Sequence, residues 1–366
     1  MKINLFKLMH GYCAPDAGTL VNTTQNYVNA YDGSTTAFAA PNDLSSLMKT
    51  YYDTELLENA RPNLIHAQFA RKQPLPKGRG KKVEWRKFNT LADASALTEG
   101  VIPTGQKFGQ SSMTASILQY GTYLTVSDQL ELHAIDNVIL SATEELGASA
   151  GTTQDKLVRD TLAAGTTVQY CDKVSAAGAH TAVDTRAGMD ITSKLTPTEV
   201  NKAVTTLKKL KAPTINGKYV AIIHPSVSYD LRENKEWIEA HKYAAVTPLF
   251  TGEIGELHGV RFIETTEAKI WNNNTCPVKT AAASGNQAVY YSVYSTLFLG
   301  KDAFGMIDPE GGGLEMIVKS KEQAGGPLNQ FSTLGYKFST ATKILYQDRM
   351  VRVESLSEYS GTDEAN

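Results

Sequence analysis

A helical pattern from Ile135 to Gly165 constrains this chain more than any other stretch. Apolar residues recur at Val138, Ile139, Ala142, Leu146, Ala150, Leu157 and Leu162, the spacing of a single helix face. Asp136 or Asn137 offers an N-cap, Glu144 and Glu145 occupy the first half, Lys156 and Arg159 the second, and Gly165 supplies a stop. Charges and terminators therefore agree with the helix dipole. At 1.5 Å per residue the helix would run about 40 Å, roughly the width of a domain. It reads as a backbone on which other elements lean.

The 366 residues suffice for two or three ordinary domains. With 42% hydrophobic and 20% charged residues the chain falls among globular proteins. Its net charge of -2 attracts neither nucleic acid nor membrane in bulk. Cys13, Cys171 and Cys276 are odd in number and far apart, which excludes a disulfide framework and a zinc knuckle and fits a reducing compartment. Asn4, Lys7 and His10 interrupt the apolar run that a signal peptide needs, and no segment reaches the length of a membrane span.

Residues 11–45 are rich in Ala, Thr, Asn and Gly and predict an extended arm. Leu47, Tyr51, Leu56 and Leu57 predict a short helix that Pro62 ends. Val83, Trp85 and Lys87 alternate with Glu84, Arg86 and Phe88 as in a strand. A second alternating run takes in Met113, Ala115, Ile117, Thr122, Leu124 and Val126. The connector 89–111 between them, with Gly100, Pro103, Gly105 and Gly109, is too long for the inside of a compact domain, so the two strands are expected to form a projecting arm. Thr196-Pro197-Thr198-Glu199 is a capping box opening a helix over Val200, Ala203, Val204, Leu207 and Leu210, closed by Pro213. Tyr219–Ile223 reads as a central strand and Pro225–Leu231 as a short helix. With strands at 260–264 and 288–293 they describe a separate α/β domain. Leu314–Lys319 and Tyr336–Val353 alternate as antiparallel strands, with turns at Gly311-Gly312-Gly313 and Gly325-Gly326-Pro327.

Three motifs invite a chemical reading. Gly147-Ala148-Ser149-Ala150-Gly151 matches the G-x-S-x-G nucleophile elbow of serine hydrolases, but that motif needs a strand before it, and both flanks here are helical. Small residues that let another backbone approach are the expectation. His224 and Ser226 follow a strand, yet no carboxylate stands at a spacing that would orient them. The seven histidines show no metal spacing, and no cofactor or metal is assigned. The densest basic stretch, Arg71 to Lys87, contains Lys77, Arg79, Lys81, Lys82, Arg86 and Lys87 beside Trp85. It lacks the order of a phosphate loop. Its candidate partners are nucleic acid or a carboxylate surface on another subunit, and the excess of acidic over basic residues favours the second. Trp85 is the expected anchor of that contact.

The succession of terminal arm, projecting arm, long helix, inserted α/β domain and closing strands resembles the major capsid proteins of tailed bacteriophages, with the Hong Kong 97-like fold. YYDTELLENARPNLIHAQFA (51–70), KKVEWRKFNTL (81–91), LTEGVIPTGQ (97–106), QYGTYLTVSDQLELHAIDNV (119–138) and GYKFSTATKILYQDRMVRVES (335–355) resemble the phage N4-like branch. The resemblance implies an α+β fold with an N-terminal arm (1–45), an N-terminal helix region (46–73), an extended loop (74–126), a peripheral domain (127–194) with spine helix 135–165, an axial domain (195–300), and peripheral strands and C-terminus (301–366). It implies hexamers and pentamers closing into an icosahedral shell around double-stranded DNA, with separate scaffolding and portal proteins and cement proteins as further partners. It carries over no catalytic residues. Localisation would be the virion, after assembly in the host cytoplasm. Glu99 and Lys107, near the loop tip, join the basic residues as inter-subunit contact candidates. One member of the fold cross-links subunits through a lysine and an asparagine, but Lys107 has no matching context and no cross-link is predicted.

Overall fold

The computed structural model describes residues 65–366 except 79, 90, 95, 98, 101, 103, 104, 134–137, 176, 177, 243–252, 281–287 and 322–327. The expected N-terminal arm, the helix around Leu47–Leu57, the Asp136 or Asn137 cap and the Gly325–Pro327 turn lie outside the described residues.

The strands and helices in chain order are β1 (Arg71–Leu75), β2 (Lys82–Phe88), β3 (Gln110–Ser116), β4 (Leu118–Ser127), α1 (Asp128–His133), α2 (Val138–Ala163), β5 (Val168–Tyr170), β6 (Lys173–Val174), β7 (His180–Thr181), α3 (Pro197–Lys209), β8 (Tyr219–Ile223), α4 (Pro225–Glu233), α5 (Lys235–Lys242), β9 (Glu253–Leu257), β10 (Val260–Glu264), β11 (Ile270–Trp271), β12 (Val278–Thr280), β13 (Val289–Tyr290), β14 (Val293–Leu299), β15 (Phe304–Pro309), β16 (Glu315–Lys319), β17 (Phe331–Ile344) and β18 (Met350–Ser355). The helix α1 belongs to a unit separate from that of Arg61–Ser127 and Ile139–Asn366, and the packing that follows is within the latter.

Helix α2 buries Leu146, Ala150, Val158 and Leu162. Leu157, expected in that stripe, is only half-buried: at 100° per residue it stays in line with Leu146 and Ala150, whereas in the second half of the helix the buried side has turned to Asp155, Val158, Arg159 and Leu162. Asp155 and Arg159 share the buried side. Both are paired there: the Asp155 carboxylate lies 2.7 Å from His66 Nδ1, and Arg159 Nη1 donates to the Glu267 carbonyl at 3.2 Å. Burial of charge is tolerable only with such partners.

A seven-stranded sheet has the order β5-β18-β14-β8-β10-β9, with β11 also on β14. Alternation sends Tyr219, Ala221 and Ile223 to one face and Val220 and Ile222 to the other. The first face packs on Val200, Ala203, Val204 and Leu207 of α3. The second packs on Ile65, Val158, Leu162 and Met350. Two covered faces explain why β8 reads as an unbroken apolar run. This sheet is not confined to 195–300 as expected, since β5 and β18 come from either side of that range and β18 lies between β14 and β5. Helix α3 starts at the expected cap, with Thr196 Oγ1 accepting from Glu199 N at 3.5 Å. The other half of the capping box is absent, because the Glu199 carboxylate turns to Gln169 Nε2 at 2.8 Å and Lys202 Nζ at 2.9 Å.

The expected strand Tyr336–Val353 is two strands in two sheets, parted at 345–349. In the second sheet β17 pairs with β4 over ten residues, 331–340, and with β16 across its other edge at 333–337; β15 takes 341–344, and β1 lies parallel outside β15. Gly335 permits the close β4–β17 approach: a Cβ there would come within 2.8 Å of Tyr123 Cβ and 2.9 Å of the Thr122 carbonyl.

Candidate assembly surface

Strands β2 and β3 pair antiparallel in unbroken register from Lys82↔Ser116 to Phe88↔Gln110. The expected alternation is present: Val83 is buried and Trp85 and Lys87 half-buried, while Lys82, Glu84, Arg86 and Phe88 are exposed. The ribbon is shorter than expected, because β4 leaves it at Ile117 to pair with β17. At its far end the Asn89 amide bonds the Gly109 carbonyl at 2.9 Å, and Phe88 stacks on Phe108 with ring centroids 4.7 Å apart. Every described residue from Phe88 to Phe108 is exposed, and these include Leu91, Leu97 and Ile102, the last 94% exposed. Exposed apolar groups gathered in this way make the tip the candidate contact surface of the chain.

The sequence-predicted contact residues divide by where they sit. Lys81, Lys82, Glu99 and Lys107 are exposed. Arg86 is exposed and 3.4 Å from Glu84. Lys77 is exposed, its stem against Gly311, whose φ of +75° and missing Cβ leave room for it. Arg79 is outside the described residues. Two members already have partners in their own chain. Trp85 Nε1 donates to Gln73 Oε1 at 2.7 Å and its ring packs with Leu75, Val83, Ile307 and Ala341, while Lys87 Nζ lies 4.7 Å over the Tyr346 ring. Trp85 therefore seats the root of the ribbon. The residues that sequence reasoning missed are the exposed apolar ones, Phe88 and Phe108 above all, whose signal is an aromatic on the solvent side of an alternating strand.

Ser149 lies within α2, exposed, with Oγ 3.3 Å from the Tyr336 hydroxyl. It occupies no strained turn, so the elbow geometry is absent. The expected close approach is also absent at Gly147, where an added Cβ would meet nothing within 4 Å. Asp172, His180 and Glu199 come together beside α3, but the Lys202 ammonium bonds both carboxylates and supplies the positive charge.

His224 is the N-cap of α4, its Nδ1 accepting from Ser226 N at 3.2 Å, with Tyr294 against its ring. The carboxylate that could not be found by spacing is Asp363, which accepts from Tyr294 Oη at 2.6 Å and from Ser226 Oγ at 3.5 Å. This is a cap held by a hydrogen-bond network. Burial pushes the His224 imidazole below its ordinary value, with Asp363 and Glu264 pulling partly back. Because the folded pKa is depressed, this contribution to stability is complete above the unfolded value of about 6.5 and is lost as pH falls through that value towards the folded one. Asp363 is also depressed, its hydrogen bonds from Ser360 and Tyr294 outweighing its burial, and it acts in a separate window below about pH 4. Urea midpoints of the unassembled subunit should fall between pH 7.5 and 5, and His224→Asn, which keeps a cap acceptor, should flatten that slope. An unchanged slope would remove His224 as its source.

A family model described as phage capsid protein matches residues 110–338, more than half of the chain. No curated protein matches it. Among solved structures, the capsid of Cyanophage P-SCSP1u is similar with a TM-score of 0.59 at 15% identity, covering 93% of this chain and 100% of that one. The capsid of Ralstonia phage GP4 has a TM-score of 0.59 at 12% identity over 89% and 98%. The head structure of Helicobacter pylori bacteriophage KHP40 has a TM-score of 0.61 at 10% identity over 85% and 96%. With the long helix α2, the two sheets and the ribbon of β2 and β3, the chain has the Hong Kong 97-like fold and belongs to the phage capsid protein family.

Proposed function

We propose that the chain is the major capsid protein of a tailed phage of the N4-like branch, assembling as hexamers and pentamers into an icosahedral shell. The observation that carries this reading, beyond family membership, is the uncovered apolar tip around Phe88 and Phe108 at the end of a ribbon rooted by Trp85. A fixed root and a bare tip fit an element that completes its burial on a neighbouring subunit, with 74–126 as the extended loop, α2 as the spine and much of 195–300 as the axial domain. The role is structural rather than catalytic. Separate scaffolding, portal and cement proteins are the expected partners, packaged DNA is held without sequence-specific recognition, and assembly takes place in the host cytoplasm.

Negative-stain imaging of purified protein tests the reading, since shells or capsomers are expected and uniform monomers would overturn it. Within it, Trp85→Ala should impair assembly more than Lys81→Ala or Lys82→Ala. An exposed ion pair contributes only about 0 to 1 kcal/mol, whereas losing the ring unseats the whole ribbon. Equal shell yields from the three variants would reject the ribbon as the assembly element.

A further inference from the structure

The sheet built on β17 has an edge that is unguarded. Strand β4 runs for ten residues, Leu118 to Ser127, about 33 Å, and pairs with β17 without a register shift. Among the described residues no strand pairs with the other side of 118–126. Every second residue therefore turns its N–H and C=O outward. Exposed edges are ordinarily protected by charge, proline, a bulge or shortness. The other outer strands of the two large sheets comply: β1 contains Arg71, Lys72 and Pro74, β16 contains Glu315 and Lys319, β9 contains Glu253 and Glu256, and β5 and β11 have only three and two residues. From Gln110 to Ser127 the chain has no charged residue and no proline. Along β4, Leu118, Tyr123 and Leu124 stand 51%, 71% and 44% exposed.

We infer that β4 pairs with β4 of a second copy, antiparallel about a two-fold axis, so that the two β17 sheets become one continuous sheet. This rests on the reading of the chain as a shell subunit and specifies one of its contacts. The occupant is argued from the edge itself. A partner strand bearing charges would bring them against an uncharged row, whereas a second β4 is equally neutral and equally long, and an isologous pair satisfies both edges at once and closes. Of the other unpaired edges, β3 is also uncharged, but it is shorter and Ala115 fastens it into the cluster at the ribbon's root. Tyr123 lies opposite Gly335, which leaves its ring free to meet a cross-strand neighbour.

The test uses full-length chain with Cys13→Ser, Cys171 and Cys276 being buried. Single cysteines are placed in turn at each position from Gln119 to Thr125 except Gly121, shells are assembled, and mild oxidation is followed by non-reducing electrophoresis. Since a disulfide needs Cα atoms about 4.4 to 6.8 Å apart, positions near the axis should give covalent dimers and positions farther out should not. Independently, Tyr123→Lys with Thr125→Lys should lower shell yield at least tenfold while leaving the melting temperature of the unassembled subunit unchanged, and Val318→Lys on the charged edge should leave the yield intact. Shells without covalent dimers at any position, or a double-lysine variant that assembles normally, would overturn the pairing and leave the shell reading standing. Wild-type chain that forms neither shells nor capsomers would overturn the shell reading, and the pairing with it.

Discussion

Glu354→Ala is expected to destabilise the unassembled subunit by about 3 to 5 kcal/mol, the range for removing one partner of a buried ion pair. The Glu354 side chain is wholly buried and receives Arg186 Nε at 2.6 Å and Nη2 at 2.7 Å, with Arg352 Nε 2.9 Å away. Arg186 stacks on Trp271 at 3.9 Å, and Arg352 lies 5.3 Å from the same ring. Without the carboxylate two guanidinium groups would face each other with no counter-charge. Burial already pushes Arg352 below its ordinary value, Glu354 opposes that shift, and Arg186 adds to it. Arg352 also donates to the carbonyls of Ala163 and Gly165, where a cation complements the end of α2, so the loss would spread to the long helix. Glu354→Gln, which keeps an acceptor but not the charge, should fall between wild type and alanine. Urea unfolding followed by circular dichroism measures the order, and an alanine variant within 1 kcal/mol of wild type would show that the two arginines find other partners.

A comparable loss, about 3 kcal/mol or more, is expected for Asp155→Ala. Asp155 is 2% exposed and His66 fully buried, and the carboxylate accepts from the Ala67 amide at 3.3 Å as well as pairing with His66 Nδ1 at 2.7 Å. His66 Nε2 has no hydrogen-bond partner among the described residues, so the alanine variant would leave the imidazole wholly unsatisfied in an apolar cluster, the costly half of hydrogen-bond energetics. Asp155→Asn retains an acceptor for Nδ1–H and should recover much of the loss. Hydrogen exchange supplies a local readout: amides at 65–70 should become less protected in Asp155→Ala while those of β8 keep their order. Unchanged protection at 65–70 would mean that Ile65, packed on Leu162 and Met350, holds the segment without the polar pair.

Much of the fold was legible because it is written locally. The spacing along α2, the Thr196-Pro197 start of α3 and the apolar run of β8 depend on residues within a few positions of one another, and each element lies where those residues place it. The order of elements that resembles tailed-phage capsid proteins agrees at the level of the family with the match over 110–338, which contains the stretch 119–138. The candidate site was legible in part: the alternation of Val83, Trp85 and Lys87 with Glu84, Arg86 and Phe88 was readable, but not which row faces the body. Trp85 read as an outward anchor because a large aromatic among basic residues looks the same from sequence whether it packs inward or outward. Gln73, Ile307 and Ala341, which hold it, come from other strands.

By itself the sequence determined the long helix α2, the Thr196 start of α3, the central strand β8 and the class of fold, since side-chain period and capping chemistry act over one or two turns of chain. Only the tertiary structure decided that β18 enters the sheet of β8 while β17 joins β4, that Asp155 meets His66 and Glu354 meets Arg186 across 89 and 168 residues, and that among the described residues no strand covers the outer edge of β4. A buried charge or a strand edge takes its meaning from the group opposite, and that group is chosen by register and packing between segments far apart in the chain.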